Sequence, residues 1–297
     1  QDFASQFTAE MFDPDAWASL FKQAGARYIV LTSKHHDGYT LWGSPQSWNW
    51  NAVDIGPGRD LIMDLKTAID KQSIPFGLYY SLFEWYNPIY LSDPKAYVDE
   101  VMLPQLYDLI AKYEPAVLWG DGCNDFSSDF WHTKEFLAWL FNESPVCDTI
   151  AVNDRWGNDT QWKHGGYYCS EYEWPDYRDW KTHAFEDGRG MGYSFGYNRM
   201  ENSSVYWNPK QLIHLLVDVV ANGGNFLLDV GATWDGRIPT VMQNNLLAIG
   251  DWLSVNGEAI YSTRRWKYPQ DKNDTTIYYT WNPLTEVVYA ITTSYPF

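Results

Sequence analysis

Short apolar runs alternate with amphipathic stretches along most of the chain. The runs are rich in β-branched, aromatic and leucine residues, which favours strands covered on both faces. Seven strands are predicted, at residues 28–32, 75–81, 116–119, 149–153, 166–170, 191–195 and 225–229. Because a helical segment separates consecutive strands, the pattern predicts parallel βα units and an α/β fold. Seven units predict a TIM-like (β/α) barrel that is one strand short.

Capping signals mark several of the helices. A polar residue precedes a proline at Asp13-Pro14, Asp93-Pro94 and Asn208-Pro209, which is typical of a helix start. Asn222-Gly223-Gly224 predicts the end of the helix that begins near Asn208. Leucine and isoleucine at helical spacing predict a further helix over residues 241–255.

The pattern changes after Gly257. Three strand-like runs, at residues 266–268, 275–280 and 287–292, predict antiparallel strands. Two domains are therefore predicted: a catalytic (β/α) barrel domain over residues 1–257 and the beginning of a C-terminal β-sandwich domain over residues 258–297.

Charge and composition exclude several classes of protein. A net charge of −17 argues against a nucleic-acid partner or an anionic membrane surface, since both require clustered Lys and Arg. No apolar run approaches the roughly 18 residues of a membrane span. The 17 Trp residues suit stacking on sugar rings, although packing in the core explains most of them.

Cysteine and asparagine sites bear on the compartment. The three cysteines, Cys123, Cys147 and Cys169, permit at most one internal disulfide. Four N-glycosylation acceptors favour a secretory route. They are Asn142, Asn158, Asn202 and Asn273.

Acidic residues follow two of the predicted strands. Active sites of TIM barrels lie at the carboxyl ends of the strands, and Asp121 ends the third strand between two glycines. That setting suits a nucleophile, and a simple Asp-Gly turn is the alternative. Glu171 directly follows the fifth strand, and a retaining glycosidase needs two carboxyls about 5 to 5.5 Å apart. Glu173 is a rival that shares the face of Glu171 if the strand continues, and Glu186 is a weaker rival that is predicted to lie in a loop.

Other polar and aromatic residues follow the same strands. His35 and His36 suit sugar binding or a structural cluster, and no third His or Cys at a zinc spacing supports a metal site, so no metal is predicted. Arg155 is compatible with a structural ion pair or with substrate contact. Trp119 and Phe195 suit an apolar wall or ordinary packing.

Four ordered motifs resemble glycoside hydrolase family 29, the α-L-fucosidases, most closely the animal lysosomal and secreted members. They are KHHDGYTLW at 34–42, LWGDG at 118–122, VNDRWG at 152–157 and NGEAIY at 256–261. The resemblance implies a retaining exo-glycosidase without a cofactor that removes terminal α-L-fucose from glycoproteins, glycolipids or oligosaccharides. It implies Asp121 as nucleophile and Glu171 as acid/base, with Glu186 as the competitor. It further implies substrate contacts from His35, His36, Tyr79, Trp119, Arg155 and Phe195.

One departure from the family concerns the beginning of the barrel. The first strand of the family, with its His-Trp-Gly and Glu-Trp segments, is not found in this sequence, and the sandwich is cut short, so a fragment of a longer protein is expected.

A fucose-binding, lectin-like protein with impaired catalysis is the alternative function, and a glycosidase for another sugar is a second. The expected partner is a fucosylated glycan, and the expected location is lysosomal or secreted. The oligomeric state is left open, with a homo-oligomer among the alternatives.

Overall fold

The computed structural model describes residues 3–180 and 182–294. The strands are β1 (Ile29–Lys34), β2 (Phe76–Ser81), β3 (Val117–Asp121), β4 (Ala151–Val152), β5 (Tyr168–Glu171), β6 (Phe185–Gly190), β7 (Asn225–Asp229), β8 (Arg264–Gln270), β9 (Ile277–Asn282) and β10 (Val287–Thr292). The helices are α1 (Pro14–Gln23), α2 (Leu61–Lys71), α3 (Pro88–Ser92), α4 (Pro94–Tyr97), α5 (Leu103–Tyr113), α6 (Thr133–Asn142), α7 (Pro209–Ala221) and α8 (Thr240–Asn256).

The described chain falls into two compact units. The first comprises residues 3–22, 26–168 and 234–237. The second comprises residues 23–25, 169–180, 182–233 and 238–294. The division into a barrel domain (residues 1–257) and the beginning of a sandwich domain (residues 258–297) remains a prediction.

A parallel sheet of order β1-β2-β3-β4 forms the centre of the first unit. Tyr79 of β2 pairs with Thr32 of β1 on one side and with Trp119 of β3 on the other, and Ser81 pairs with Asp121. The carboxyl ends of these three strands therefore lie level with one another. This register brings the residues that follow each strand to one edge of the sheet.

The predicted helix starts are confirmed. Asp13 accepts a hydrogen bond from the backbone N–H of Ala16 at 3.0 Å. Asn208 and Gln211 form a reciprocal capping box at the start of α7. Leu212, Leu215 and Val219 are buried on one side of α7, which packs against β7, β8, β9 and α8 in the second unit.

The second parallel sheet has the order β5-β6-β7, and β6 and β7 pair in parallel. The strand predicted at 191–195 is wrong, because the strand lies at Phe185–Gly190 and residues 191–196 form bends. The sequence of β6, FEDGRG, is charged and glycine-rich, and this composition is typical of a loop. All six residues are nevertheless buried. Partners outside the strand contact two of the charged side chains: the Ser170 hydroxyl donates to Asp187, and the Trp207 ring lies against the Arg189 guanidinium.

The last three strands form an antiparallel sheet of order β10-β9-β8, which confirms the change of pattern after Gly257. Trp266 and Trp281 pack against each other with ring centroids 6.1 Å apart. Thr280 is fully buried and donates a hydrogen bond to the carbonyl of Ala259 at 2.6 Å, which fastens this sheet to the segment after α8.

Candidate active site

The carboxylate of Asp121 lies at the end of β3 and contacts three side chains of the first unit. The hydroxyl of Tyr79 donates a hydrogen bond to Oδ2 at 2.6 Å. Nε2 of His36 lies 3.6 Å from Oδ2, and Nη1 of Arg155 lies 3.6 Å from Oδ1. Asp121 is 9% exposed, so the carboxylate is nearly buried but still reachable from solvent. Four residues that were predicted separately therefore form one polar pocket.

The glycines beside Asp121 are required by packing. A Cβ on Gly120 would lie 2.8 Å from the ring of Trp156, and a Cβ on Gly122 would lie 2.3 Å from Cδ1 of Leu82. Both distances are well inside van der Waals contact. The missing side chains at these two positions therefore leave room for Trp156 and Leu82.

Asn153, which was not among the predicted site residues, supports the strand end directly before Asp121. Gly120 donates its N–H to Oδ1 of Asn153 at 2.9 Å, and Nδ2 of Asn153 donates to the Gly120 carbonyl at 2.8 Å. Asn153 is fully buried. Its amide therefore continues the β3–β4 ladder beyond Val152, where the backbone pairing stops. The only sequence feature that could have indicated this role is the polar residue directly after the short strand β4.

The protonation of His36 follows from its contacts with Ser81. The Ser81 hydroxyl donates to the carbonyl of Phe83 at 2.7 Å and lies 2.6 Å from Nδ1 of His36. Because the single hydroxyl hydrogen is used in that bond, the Ser81 oxygen accepts from Nδ1–H. Burial, followed by the charge of His35, lowers the pKa of His36 to about 4. The imidazole is therefore neutral above that pH, and Nε2 is an acceptor beside Asp121 rather than one half of an ion pair.

A row of stacked rings borders the pocket. His35 is exposed and stacks on Tyr79 with ring centroids 5.6 Å apart, and Tyr79 stacks on Trp119 at 5.5 Å. The guanidinium of Arg155 lies 4.9 Å from the centre of the Trp119 ring. Trp119 and Arg155 are buried, at 6% and 7% exposed. The row gives the pocket an apolar wall with a positive charge at one end.

A buried ion pair anchors the segment that carries the two histidines. Nζ of Lys34 lies 2.9 Å from Oε1 of Glu84 and also donates to the hydroxyls of Tyr80 and Tyr97. Lys34 is 1% exposed and Glu84 is 3% exposed. Removing one partner would leave an uncompensated buried charge, which is strongly destabilising. Lys34 begins the KHHDGYTLW motif, but its partners lie 46 to 63 residues further along the chain and carry no local signal.

Glu171 is the last residue of β5 in the second unit, at the carboxyl end of the strand as predicted. The chain then turns sharply. Tyr172 and Glu173 have φ angles of 52° and 63°, a left-handed backbone that costs an L-residue about 1–2 kcal/mol. Trp174 closes the turn through two mutual backbone hydrogen bonds with Glu171, of 2.9 and 3.0 Å. Glu173 was expected to share the face of Glu171 if the strand continued, and the strand ends at Glu171, so this condition is not met.

Asp187 holds this turn from β6. Its Oδ1 accepts from the Ser170 hydroxyl at 2.7 Å and from the backbone N–H of Glu173 at 3.0 Å. The side chain is fully buried, and Oδ2 has no hydrogen-bond partner among the described residues. Burial raises the pKa of Asp187 and outweighs the hydrogen bonds to Ser170 and Glu173, which lower it.

The placement of Glu186 in a loop is also wrong. Glu186 is the second residue of β6 and is 3% exposed. It lies near the amino end of its strand, whereas Glu171 lies at the carboxyl end of β5. Sequence reasoning missed the strand because the residues that solvate its charges are far away along the chain.

Phe195 lies beyond β6 and is 48% exposed. Its ring meets the ring of Tyr172 edge to face, with centroids 5.0 Å apart. The structure therefore places Phe195 beside the turn that follows Glu171, within the second unit.

The remaining predicted sites are distributed over the surface and interior. All four glycosylation acceptors, Asn142, Asn158, Asn202 and Asn273, are exposed. No disulfide joins Cys123, Cys147 and Cys169, which all belong to the described residues. Within residues 3–180 and 182–294, no group of three or more His, Cys, Asp or Glu side chains is arranged to hold a metal ion. In the same part of the chain, no helix has the length and apolar character needed to cross a membrane.

Comparisons with known proteins agree on one family. The model described as Alpha-L-fucosidase matches residues 1–258. The chain is 46% identical to the tissue alpha-L-fucosidase of Bos taurus over 99% of this chain and 64% of that protein. It is 44% identical to the plasma alpha-L-fucosidase of Rattus norvegicus over 100% of this chain and 66% of that protein.

A solved structure of the Thermotoga maritima alpha-fucosidase in complex with a mechanism-based inhibitor is similar, with a TM-score of 0.80 and 39% identity. The similarity covers 94% of this chain and 65% of the solved one. With the parallel and antiparallel sheets, it confirms the TIM-like (β/α) fold class followed by the strands of a C-terminal β-sandwich. The chain spans slightly less than two thirds of the length of the curated relatives it matches.

Proposed function

The chain belongs to the alpha-L-fucosidase family, and from that membership we propose that it carries the catalytic residues of a retaining hydrolase for terminal α-L-fucose. The contacts of Asp121 carry this proposal most strongly. A nearly buried carboxylate at a strand end, in contact with Tyr79, His36 and Arg155, suits a nucleophile that must be aimed at a sugar carbon.

Asp121 is the proposed nucleophile. One carboxylate oxygen forms a bond to the anomeric carbon of fucose while the bond from that carbon to the leaving oxygen breaks. The hydrogen bond from Tyr79 to Oδ2 leaves Oδ1 as the oxygen that attacks, and Arg155 lies on the Oδ1 side, where it orients the carboxylate. Neutral His36 can accept a hydrogen bond from a sugar hydroxyl at Nε2.

Glu171 is the proposed acid/base. It first gives its proton to the leaving oxygen, and it then takes a proton from the water that attacks the anomeric carbon and releases Asp121. Its position at the end of β5 supports this choice over Glu186, which lies near the start of its strand. Glu173 faces Arg178, whose Nη2 lies 3.6 Å away, and this contact favours a structural role for Glu173.

The other predicted contacts have distinct proposed roles. Trp119 and Tyr79 supply the apolar wall, and His35 supplies an exposed ring with hydrogen-bonding nitrogens at its edge. Phe195 is proposed to face the C5 methyl of fucose, because that methyl is the apolar feature that distinguishes this deoxy sugar. No cofactor takes part in the proposed reaction.

Azide rescue separates the two carboxylate roles. In an Asp121→Gly variant we expect turnover of an aryl α-L-fucoside to fall by about 10⁴-fold or more. Azide then attacks from the face that Asp121 occupied and gives a fucosyl azide of inverted configuration. In a Glu171→Gly variant, azide attacks the covalent intermediate and gives the azide of retained configuration.

The controls test each assignment. Asp129 is an exposed carboxylate paired with Lys134 at 2.6 Å, so Asp129→Gly should turn over like the parent. Near-parental activity of Asp121→Gly would refute its role as nucleophile. Retained-configuration azide from Glu173→Gly or Glu186→Gly, but not from Glu171→Gly, would transfer the acid/base role to that residue.

The cellular setting is proposed from the same family membership. We expect a lysosomal or secreted glycoprotein that acts on fucosylated glycans, with sugars on the four exposed asparagines. Digestion with a peptide N-glycosidase should lower the mass of the purified protein. An unchanged mass would contradict glycan attachment.

A further inference from the structure

The turn at Glu171–Trp174 contains an exposed indole that the proposed function does not use. Trp174 is 70% exposed, although large aromatic side chains are usually at least half covered. The proposed fucose contacts already include an aromatic partner for the methyl group, namely Phe195. A binding role for the indole of Trp174 therefore requires a part of the substrate other than the fucose methyl.

The position of Trp174 is tied to that of Glu171. The two residues exchange two backbone hydrogen bonds, of 2.9 and 3.0 Å, across the turn. The intervening Tyr172 and Glu173 both have left-handed backbones, and such strain persists only where the surroundings enforce it. Strained backbone of this kind is concentrated at functional sites.

Several contacts from β6 and the residues around it enforce the turn. Asp187 accepts the N–H of Glu173, and the carbonyl of Gly188 accepts the N–H of Tyr172 at 3.0 Å. The hydroxyl of Tyr172 accepts the N–H of Gly190 at 3.1 Å, and the Arg189 guanidinium lies 5.0 Å from the Tyr172 ring centre. The backbone that carries Trp174 is therefore fixed before any ligand arrives, so a ligand that stacks on the indole has only the side-chain rotamer to order.

The role of Glu171 determines which ligand that is. A general acid must lie within hydrogen-bond distance of the oxygen that joins fucose to the rest of the glycan. Trp174 is fastened to the backbone of that acid, so its side chain is within reach of the sugar on the far side of the oxygen. Pyranose rings have apolar C–H faces, and aromatic rings are their common binding surfaces.

We propose that Trp174 forms a binding subsite for the pyranose that carries the fucose, that is, the leaving group of the reaction. This inference rests on the proposed function and on Glu171 as the acid. The indole stacks on the C–H face of that pyranose and contributes to recognition only when the leaving group is a sugar. Substrates with small leaving groups do not reach it.

Two substrates with different leaving groups test this subsite. α-L-Fucosyl fluoride has no sugar leaving group, whereas a fucosyl-N-acetylglucosamine disaccharide has one. For Trp174→Ala we expect kcat/KM on the disaccharide to fall roughly three- to tenfold, the scale of one aromatic contact, mostly through KM. On fucosyl fluoride we expect no more than a twofold change. Trp174→Phe keeps an aromatic face and should recover most of the loss.

A matched control variant distinguishes a loss of leaving-group binding from a general loss of activity. Trp48 is 79% exposed and lies in the first unit, so Trp48→Ala should leave both substrates unaffected. An equal loss of Trp174→Ala on both substrates would show that the indole only supports the turn and would overturn the subsite, as would no loss on either. A parent protein that hydrolyses neither substrate would refute the proposed function itself, and the subsite with it.

Discussion

Asn153→Ala is the sharpest test of how the position of Asp121 is maintained. The substitution removes both hydrogen bonds to Gly120 and leaves one buried N–H and one buried carbonyl without partners. Each unsatisfied group costs about 1–3 kcal/mol, so the free energy of unfolding should fall by about 2–6 kcal/mol. Since Gly120 directly precedes Asp121, a shift of the strand end by about 1 Å should also lower kcat on fucosyl fluoride, by as much as 10²-fold.

Urea unfolding followed by tryptophan fluorescence measures the first effect, and initial rates measure the second. Asn153→Asp keeps the acceptor but loses the donor and buries a charge, so it should be destabilised at least as much as Asn153→Ala. Asn256 is a suitable control, because its half-buried amide makes one hydrogen bond to the Trp252 carbonyl, and Asn256→Ala should cost about 1 kcal/mol or less. An Asn153→Ala protein that is within about 0.5 kcal/mol of the parent and fully active would refute the reasoning.

Three further predictions concern the two proposed carboxylate sites. Tyr79→Phe removes a 2.6 Å hydrogen bond to a charged carboxylate and should lower kcat/KM by about 10- to 100-fold; an unchanged rate would exclude a role for this hydroxyl. Because the pKa of His36 is lowered from 6.5 to about 4, the unfolded chain binds a proton between these pH values that the folded protein does not. Stability should therefore decrease as the pH falls from 6.5 to 4, and His36→Gln should flatten this part of the profile; an NMR titration of His36 with a midpoint near 6.5 would contradict this. Asp187→Asn should retain the turn and most activity, since the amide oxygen can still accept both hydrogen bonds and no buried carboxylate has to be desolvated. Asp187→Ala removes both hydrogen bonds and should lower kcat about tenfold or more. If Asp187→Ala were as active as Asp187→Asn and the parent, the hydrogen bonds to Ser170 and Glu173 would not matter for activity.

Local sequence signals determined most of the elements. A capping residue before a proline fixes where a helix can begin, and a short apolar run between two helices has few alternatives to a buried parallel strand. The starts of α1, α4 and α7 and the strands β1, β2, β3 and β7 follow from these signals alone. The position of Asp121 at a strand end was determined in the same way.

β6 shows where local signals fail. Its sequence has the composition of a loop, and it becomes a buried strand because Ser170 hydrogen-bonds Asp187 and Trp207 lies 3.4 Å from the Arg189 guanidinium. The burial of a charge depends on partners that are distant along the chain, and no periodicity within the strand reports them.

The candidate active site likewise has features that the sequence predicts and features that it does not. Which residue types follow each strand can be read from the amino-acid order, and this made Asp121, His36, Tyr79 and Arg155 candidates. Their contacts depend on the folded arrangement, because the register of β1, β2 and β3 sets which side chains meet Asp121. The neutral state of His36, the support from Asn153 and the strained turn after Glu171 likewise depend on hydrogen bonds and burial between segments far apart in sequence, which no local pattern encodes.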